Sequence, residues 1–337
     1  MRVEPSLKLF FCGPGTGESI AIHLPDGEWG LIDCYLPSSG KGTAVLDFLA
    51  DQKVEHLAFF CLTHPHADHF LGAEQVLNKY AGRIGQIWRW DGLTGRELQI
   101  KMIMAAEARS ELTVDDDRDD REGKDFSKGF CTLIWALRAA RRNGILCRRV
   151  AAPLMLLETN LYKIRAIHPD HNLVEDVEEK ILEKAIQPHG FLLFDEDEGA
   201  LLNSLSIVLQ LEFGDAKVFL LGDAEGPRVA LDHGATKFCV KAAHHGSENG
   251  FGAEGFSCPP RAHASVRCLV ITPYARSGLP RTKMIERYRK VARELILTES
   301  PSTRQPEPTL RNARFANEAG AWHGVEILAT GQVRRCN

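Results

Sequence analysis

The chain has 337 residues, and its 44% hydrophobic and 26% charged residues are typical of a globular protein of one or two domains with a sizeable core. Its formal net charge of −4 excludes an overall positive field that would attract nucleic acid, although local basic patches remain open. No apolar stretch approaches the ~20 residues of a membrane helix and no signal peptide is visible, so we expect a cytoplasmic protein with no membrane partner.

The N-terminal part of the chain begins with strands. Residues 7–12 predict a first strand, and residues 20–24 and 29–34 predict a hairpin, because the Pro-Asp-Gly sequence at 25–27 is a strong turn signal. Asp33 is a carboxylate at the end of an otherwise apolar strand. Two interpretations stay open for it: a turn residue, or a group that orients a metal-binding histidine.

The most informative stretch follows a buried strand, predicted over residues 57–62 because six apolar residues are too few for a helix. Directly after it come four side chains of the kinds that bind metal ions: His64, His66, Asp68 and His69. Pro65 opposes a helix before Asp68, so the first two histidines lie on extended backbone and point the same way, while the other two side chains follow on a tight turn. A helix is predicted over residues 70–79. A strand that ends in imidazoles and a carboxylate indicates a two-metal site.

The segment 91–149 changes the character of the chain. Residues 97–112 and 126–142 predict helices on either side of a mixed charge run. We interpret 91–149 as an inserted helical cap beside the candidate metal site. Its arginines form either a solvated helix face or a groove for a phosphate backbone, in which Arg141 and Arg142 would bind substrate.

The second half again places polar residues at strand ends. One predicted strand leads to Gly222 and Asp223, and another leads to the sequence His-His-Gly-Ser at 244–247. Ser247 is either a turn residue or a contact for a phosphate oxygen. A helix rich in arginine and lysine is predicted over residues 281–293.

Four blocks of the sequence together carry a family resemblance. They are Gly17-Glu18-Ser19 with Leu31-Ile32-Asp33, the His64–His69 motif, Asn203 and Ser206 with Gly222-Asp223, and the block from Ala243 to Ser247. This pattern resembles the metallo-β-lactamase superfamily, in particular the branch typified by the C-terminal domain of the competence protein ComEC. The resemblance spans most of residues 7–300. It implies a mixed α/β fold, the αββα sandwich, as a single domain over 1–337 with the cap inserted in it.

The resemblance also implies a centre with two divalent metal ions, zinc or manganese. The implied ligands are His64 and His66 for the first ion, Asp68 and His69 for the second, and a bridging Asp223. One histidine of the next pair completes the second ion; we favour His244, which directly follows the strand, and this leaves His245 as a catalytic or substrate-binding group. Asn203 stands where the superfamily supplies a third histidine to the first ion, and His168 is a candidate replacement.

Three hypotheses for the function stay open. The resemblance implies hydrolysis by a metal-bound hydroxide, with Asp68, Asp223 and His245 as catalytic residues. The substrate would be a phosphodiester, most simply nucleic acid, which makes the protein a phosphodiesterase or nuclease. Alternatives are a hydrolase of a small ester, lactone or phosphorylcholine-type substrate, and a metal-stabilised effector subunit that binds a protein partner in a larger complex. We favour the first hypothesis because guanidinium groups pair bidentately with phosphate oxygens.

Overall fold

The computed structural model describes residues 4–13, 17–36, 43–91, 121–186, 196–225, 229, 237–253, 266–274, 277–298, 314–315 and 322–336. The strands in these ranges are β1 (Ser6–Cys12), β2 (Ser19–His23), β3 (Trp29–Ile32), β4 (Leu57–Leu62), β5 (Ile84–Trp90), β6 (Leu146–Val150), β7 (Leu154–Glu158), β8 (Tyr162–His168), β9 (Val208–Phe213), β10 (Ala216–Leu220), β11 (Lys237–Lys241), β12 (Val266–Ile271), β13 (Glu294–Leu297), β14 (Arg314–Phe315), β15 (His323–Leu328) and β16 (Val333–Cys336). The helices are α1 (Ala44–Asp51), α2 (Ala67–Phe70), α3 (Ala73–Lys79), α4 (Arg121–Arg142), α5 (His171–Ile186), α6 (Glu196–Asn203), α7 (Glu248–Ala253) and α8 (Thr282–Val291).

These strands form two eight-stranded sheets that pack face to face. The strand order is β16-β15-β1-β2-β3-β4-β5-β6 in the first sheet and β14-β13-β12-β11-β10-β9-β8-β7 in the second. Strands β3 to β6 run parallel, and so do β10 to β14. Parallel strands end at the same edge of a sheet, and this is the edge where α/β folds bind ligands.

Strand β4 illustrates how alternate side chains of one strand pack into the two different layers of the core. Its side chains alternate with a period of two: Phe59 and Cys61 pack between the sheets, whereas Phe60 and Leu62 pack against helices. The Phe59 ring stacks on Trp88 of β5 with centroids 4.1 Å apart. A strand buried on both faces has a continuous apolar sequence, so its bounds could be recognised from the sequence alone.

Helices cover the outer faces of both sheets. On the first sheet, α1, α3 and α4 contribute Val45, Val76 and Leu133 to one buried cluster. On the second sheet, α7 and α8 contribute Phe251 and Tyr288, whose rings meet edge to face with centroids 5.0 Å apart. The predicted αββα sandwich is therefore confirmed. Within the described ranges, no helix combines the length and the apolar character needed to cross a membrane.

The cap predicted over 91–149 is wrong at its C-terminal end. Leu146–Val150 is strand β6, which pairs in parallel with β5 inside the first sheet. The preceding helix α4 buries Leu133 in the core of that sheet, so this part of α4 belongs to the outer layer of the sandwich. Strand β6 could not be recognised from the sequence because its exposed and half-buried positions, two of them arginines, resemble the polar face of a helix. Residues 92–120, which hold the other predicted cap helix, lie outside the described residues, and a cap there stays a prediction.

The candidate metal-binding loop contains more helix than the sequence predicted. Helix α2 begins at Ala67, so Asp68 and His69 lie on a helical turn rather than on a tight turn. The restriction that Pro65 imposes acts on the residue before it and does not extend two residues further along the chain. The two short helices are separated at Gly72, the N-cap of α3.

Candidate metal centre

The candidate site lies where strand ends of the two sheets meet. Strand β4 ends just before the first histidine motif, β10 ends before Asp223, and β11 ends before the histidine pair at 244–245. The amide of Ile207 donates to the carbonyl of Thr63 at 3.0 Å and joins the two sheet edges. The fold thus brings together blocks that are far apart in the chain.

Four donor side chains form one group at this junction: Asp68, His69, Asp223 and His245. We call it the Asp68 group, and one ligand atom from each member lies within 4.8 Å of all the others. His69 Nε2 lies 3.3 Å from Asp223 Oδ1. His245 Nε2 lies 3.1 Å from Asp68 Oδ2 and 3.5 Å from Asp223 Oδ2. Tetrahedral ligands placed about 2.1 Å from one ion lie about 3.4 Å apart, so this group has the spacing of a single-ion site.

A second group, which we call the His64 group, consists of His64, His66 and Asp223. His64 Nε2 lies 4.0 Å from Asp223 Oδ2. The rings of His64 and His66 meet edge to face with centroids 4.7 Å apart. Because Asp223 belongs to both groups, its carboxylate is placed to bridge two ions.

Several buried polar atoms in these groups have no hydrogen-bond partner among the described residues. His64 Nε2, His69 Nε2 and Asp223 Oδ1 are buried, and none of them forms a hydrogen bond within the described part of the chain. A buried polar atom left in this state costs about 1–3 kcal/mol. All three are typical metal-ligand atoms that lie among the grouped donors, so divalent cations fit the site and would remove that cost.

Asp33 lies against His69 and fixes its orientation. Asp33 Oδ2 accepts from His69 Nδ1 at 2.8 Å and from the Thr63 hydroxyl at 2.6 Å, while Oδ1 accepts from the Thr63 amide at 2.8 Å. The Nδ1 proton of His69 is thereby directed to the carboxylate, which leaves Nε2 available to a metal ion. Burial raises the pKa of Asp33, although the charge of His69 opposes this effect.

The His-His-Gly-Ser block forms a strained turn. His244, His245 and Gly246 have positive φ angles of 43°, 52° and 74°, and this region costs non-glycine residues about 1–2 kcal/mol each. His245 Nδ1 donates to the carbonyl of Thr272 at 2.8 Å. This bond holds the ring so that its Nε2 atom faces the Asp68 group.

His245, rather than His244, joins the Asp68 group, which corrects the preference expressed from the sequence. The turn changes the direction of the chain after β11, so the His244 side chain points away from the Asp68 group. Its Nδ1 atom pairs with Glu225. Glu225 also accepts from Asn203 Nδ2 at 3.3 Å. Sequence reasoning did not identify Glu225 as a site residue. The one feature of the sequence that could have indicated it is its position two residues after Asp223.

His168 is not part of either ligand group formed by the described residues. Its Nδ1 atom lies 3.1 Å from the carbonyl of Ser206, whose hydroxyl accepts from the Asp223 amide at 3.1 Å. His168 therefore contacts the loop that carries Asp223, and its role as a replacement for the missing third histidine stays a prediction. Asn203 is buried, and its Oδ1 atom forms no hydrogen bond among the described residues. A ligand role for Asn203 stays a prediction.

The structure gives other contacts or positions to the substrate-binding residues predicted from the sequence. Ser247 is buried, and its hydroxyl accepts from the Gly250 amide at 2.9 Å, so it caps helix α7. Arg141 and Arg142 are exposed at the C-terminal end of α4, just before β6 begins. Strand β6 runs parallel to β4, so both arginines lie at the sheet edge opposite to the metal-binding loop. Their predicted role is therefore corrected, because helix direction could not be judged without β6.

A different basic patch flanks the histidine turn. A Cβ atom placed on Gly246 would lie 3.1 Å from Pro280 Cβ, so Pro280 and the exposed Arg281 lie against the turn. Lys283 is also exposed, and its Nζ lies 2.6 Å from Glu248 Oε2, directly after the turn. Arg281 and Lys283 therefore form a basic patch that follows Pro280 next to the histidine turn, and Glu248 pairs with the lysine of that patch.

The ligands have pKa values shifted in opposite directions. Burial lowers the pKa of His64 and of His66, so both imidazoles are neutral and able to bind a cation. Burial opposes charge on His69 as well, but Asp223 and Asp68 outweigh it and raise the pKa of His69 well above its ordinary value. Burial alone would raise the pKa of Asp223, yet the charge of His69 holds it well below the usual range. These opposite shifts describe an ion pair between His69 and Asp223, which a metal ion bound at His69 Nε2 would replace.

A buried ion pair that sequence reasoning missed supports the Asp68 group. Lys241 Nζ lies 2.6 Å from Glu18 Oε2, and both side chains are buried. Burial lowers the pKa of Lys241, but the charge of Glu18 outweighs it, so the pKa is raised. The feature that could have indicated the pair is Lys241, a charged residue at the end of the apolar strand β11. A position that faces the core in such a strand is expected to be apolar.

Tyr274 borders the more exposed side of the centre. Its ring stacks on His245 with centroids 5.0 Å apart, and the side chain is half-buried. Burial and the charges of Asp68 and Asp223 raise the pKa of Tyr274 to about 12. The phenol therefore stays protonated and is a hydrogen-bond donor.

No protein-family model and no curated protein matches the chain. It is similar to the metallo-β-lactamase fold protein YhfI from Bacillus subtilis, with 11% identity, a TM-score of 0.42, and coverage of 88% of this chain and 98% of that chain. It is also similar to a diphosphatase from the PhnP family, with 12% identity, a TM-score of 0.39, and coverage of 96% and 99%. A third similar structure is the short form of human tRNase Z, with 12% identity, a TM-score of 0.38, and coverage of 86% and 91%. Similarity at this level carries no argument about activity, which has to come from the site.

Proposed function

We propose that the chain is a metal-dependent hydrolase of the metallo-β-lactamase superfamily that cleaves phosphodiesters, with nucleic acid as its favoured substrate. One observation carries this proposal: two groups of ligand atoms share the buried Asp223, and several of those atoms have no other partner among the described residues. Imidazole and carboxylate ligands without a thiolate suit zinc or manganese. Two such ions would polarise a phosphoryl oxygen and lower the pKa of a bound water.

The chain's own residues would orient water and substrate. Asp68 keeps 15% of its side chain exposed, whereas Asp223 is buried, so Asp68 is the carboxylate that an attacking water can reach. His245 Nε2 lies 3.1 Å from Asp68 Oδ2, so one ion bound by both side chains would hold that carboxylate in place. Asp68 would accept a proton from the water, and Tyr274 would donate a hydrogen bond to the substrate.

The preference for a phosphodiester rests on the basic patch of Arg281 and Lys283. Arginine binds phosphate oxygens bidentately, and lysine adds a point charge. The net charge of −4 opposes nonspecific binding, so cleavage of nucleic acid should fall steeply with salt. The ComEC-like sequence pattern supports the same substrate class.

The test combines metal analysis with a substrate panel. Purified protein is assayed with zinc or manganese on linear DNA, single-stranded DNA, RNA, bis-p-nitrophenyl phosphate, a lactone and a p-nitrophenyl ester. We expect metal-dependent phosphodiester cleavage that Asp68→Ala reduces by about 100-fold or more, a loss typical of a general base. Turnover of the lactone or ester alone would refute the phosphodiester assignment. Bound metal without any turnover would favour an effector subunit.

A matched pair of double variants tests the basic patch. Arg281→Gln with Lys283→Gln should weaken nucleic-acid cleavage and its salt dependence while bis-p-nitrophenyl phosphate turnover is retained. Arg141→Gln with Arg142→Gln removes the same charge at the opposite edge of the sheet and should leave both activities unchanged. Equal losses in the two double variants would show that overall charge, and not this patch, attracts the substrate.

A further inference from the structure

The Asp68 group contains two carboxylates, Asp68 and Asp223, and two more, Glu18 and Asp33, lie against its His69. Among the described residues, one lysine or arginine side chain, Lys241, lies within ion-pair distance of any of these four carboxylates. Its Nζ atom lies 2.6 Å from Glu18 Oε2 and 4.0 Å from Asp223 Oδ1, and it donates to the Gly222 carbonyl at 3.2 Å. Burying an ammonium group is costly unless it is paired, so Glu18 determines where this charge resides.

The same ion pair is connected to two members of the group. The Glu18 amide donates to the Asp68 carbonyl at 3.1 Å. Glu18 Oε2 accepts from the Thr272 hydroxyl at 2.5 Å, and the Thr272 carbonyl accepts from His245 Nδ1 at 2.8 Å. A change at Glu18 would therefore be transmitted to the ligands without direct contact with an ion.

We propose that the Glu18–Lys241 pair is a positioning and charge-balancing device that sets how tightly the Asp68 group binds a divalent ion. Glu18 holds the ammonium 4.0 Å from Asp223 Oδ1, which is beyond hydrogen-bond distance. Without the charge of Glu18, the ammonium would pair with Asp223 and compete with the metal ion for that carboxylate. Removal of both charges removes the competitor. The inference rests on the proposed metal centre, and metal binding tests it separately from hydrolysis.

The experiment is a double-variant cycle of Glu18→Gln, Lys241→Met and their combination. Zinc affinity is measured by competition with a chromophoric chelator, and the Co²⁺ absorption spectrum reports the ligand geometry. We expect Glu18→Gln to bind zinc about 10–100-fold more weakly, as for other groups that orient ligands. The combined variant should return to within a few-fold of wild type. A combined variant as weak as Glu18→Gln would overturn the proposal, because a merely structural pair predicts no rescue.

Two further measurements keep the test decisive. If Glu18→Gln fails to fold, Lys241→Met alone tests the proposal. Zinc should raise the unfolding midpoint of this variant more than that of wild type, because the ion replaces the missing cation. An equal or smaller rise would overturn the proposal. Arg165→Met breaks the Arg165–Glu212 pair on β8 and β9 and should leave zinc affinity unchanged. Wild-type protein that binds no zinc or Co²⁺ would instead refute the proposed metal centre.

Discussion

Replacement of Asp33 by asparagine would remove one charge from the centre and keep the backbone, because asparagine tolerates the positive φ of 54° at this position. The carboxylate accepts from three donors: the amide and hydroxyl of Thr63 and Nδ1 of His69. An asparagine side chain has one acceptor oxygen and directs an NH₂ group at part of this set. At least one buried donor loses its partner, at a cost of about 1–3 kcal/mol in the free energy of unfolding.

The same change would weaken metal binding, because His69 loses the carboxylate that orients its ring. Loss of such a partner typically reduces metal affinity by about 10–100-fold, or about 1.4–2.7 kcal/mol. Chelator competition measures the affinity, and thermal unfolding with and without zinc measures the stability. Glu28→Gln is the control, since Glu28 lies 3.2 Å from the exposed His56 in a similar pair outside the centre. Wild-type zinc affinity in Asp33→Asn would show that another contact orients His69.

Asp223→Ala should abolish hydrolysis and release most of the metal, because both groups lose their shared ligand; full metal content by elemental analysis would exclude the bridging role. Zinc binding near pH 7 should release about one proton, since His69, whose pKa is raised, must lose its proton to become a ligand; calorimetry in buffers of different ionisation enthalpy measures this, and no release would mean that His69 is neutral. By the same shift, His69 should stabilise the metal-free protein fully below its ordinary pKa of 6.5, and that contribution should be lost as pH rises through the raised pKa, which unfolding at several pH values can detect. Gly17→Ala should lower both stability and zinc affinity, because the new Cβ would lie 2.5 Å from the Asp68 carbonyl oxygen, whereas Gly82→Ala, also at positive φ but with open space around it, should affect zinc affinity little.

Features that depend on residues near each other in the chain could be derived from the sequence. The bounds of β4 follow from a continuous apolar run, which a doubly covered strand requires. The spacing of His64 and His66 places both rings on one side of an extended backbone, and the structure groups them. The sandwich could be expected because strand-rich halves each end strands on ligand-type residues.

Tertiary structure decided what depends on contacts between distant segments. The choice of His245 over His244 depends on a turn with positive φ that is held by Thr272, the residue directly after β12. The position of Arg141 became clear only once β6 was seen to pair with β5, because helix direction follows from the strand that comes next. Glu18 and Lys241 are separated by more than two hundred residues, so no local pattern joins them. Long-range pairing depends on how the two sheets pack, and a single sequence records that packing only indirectly.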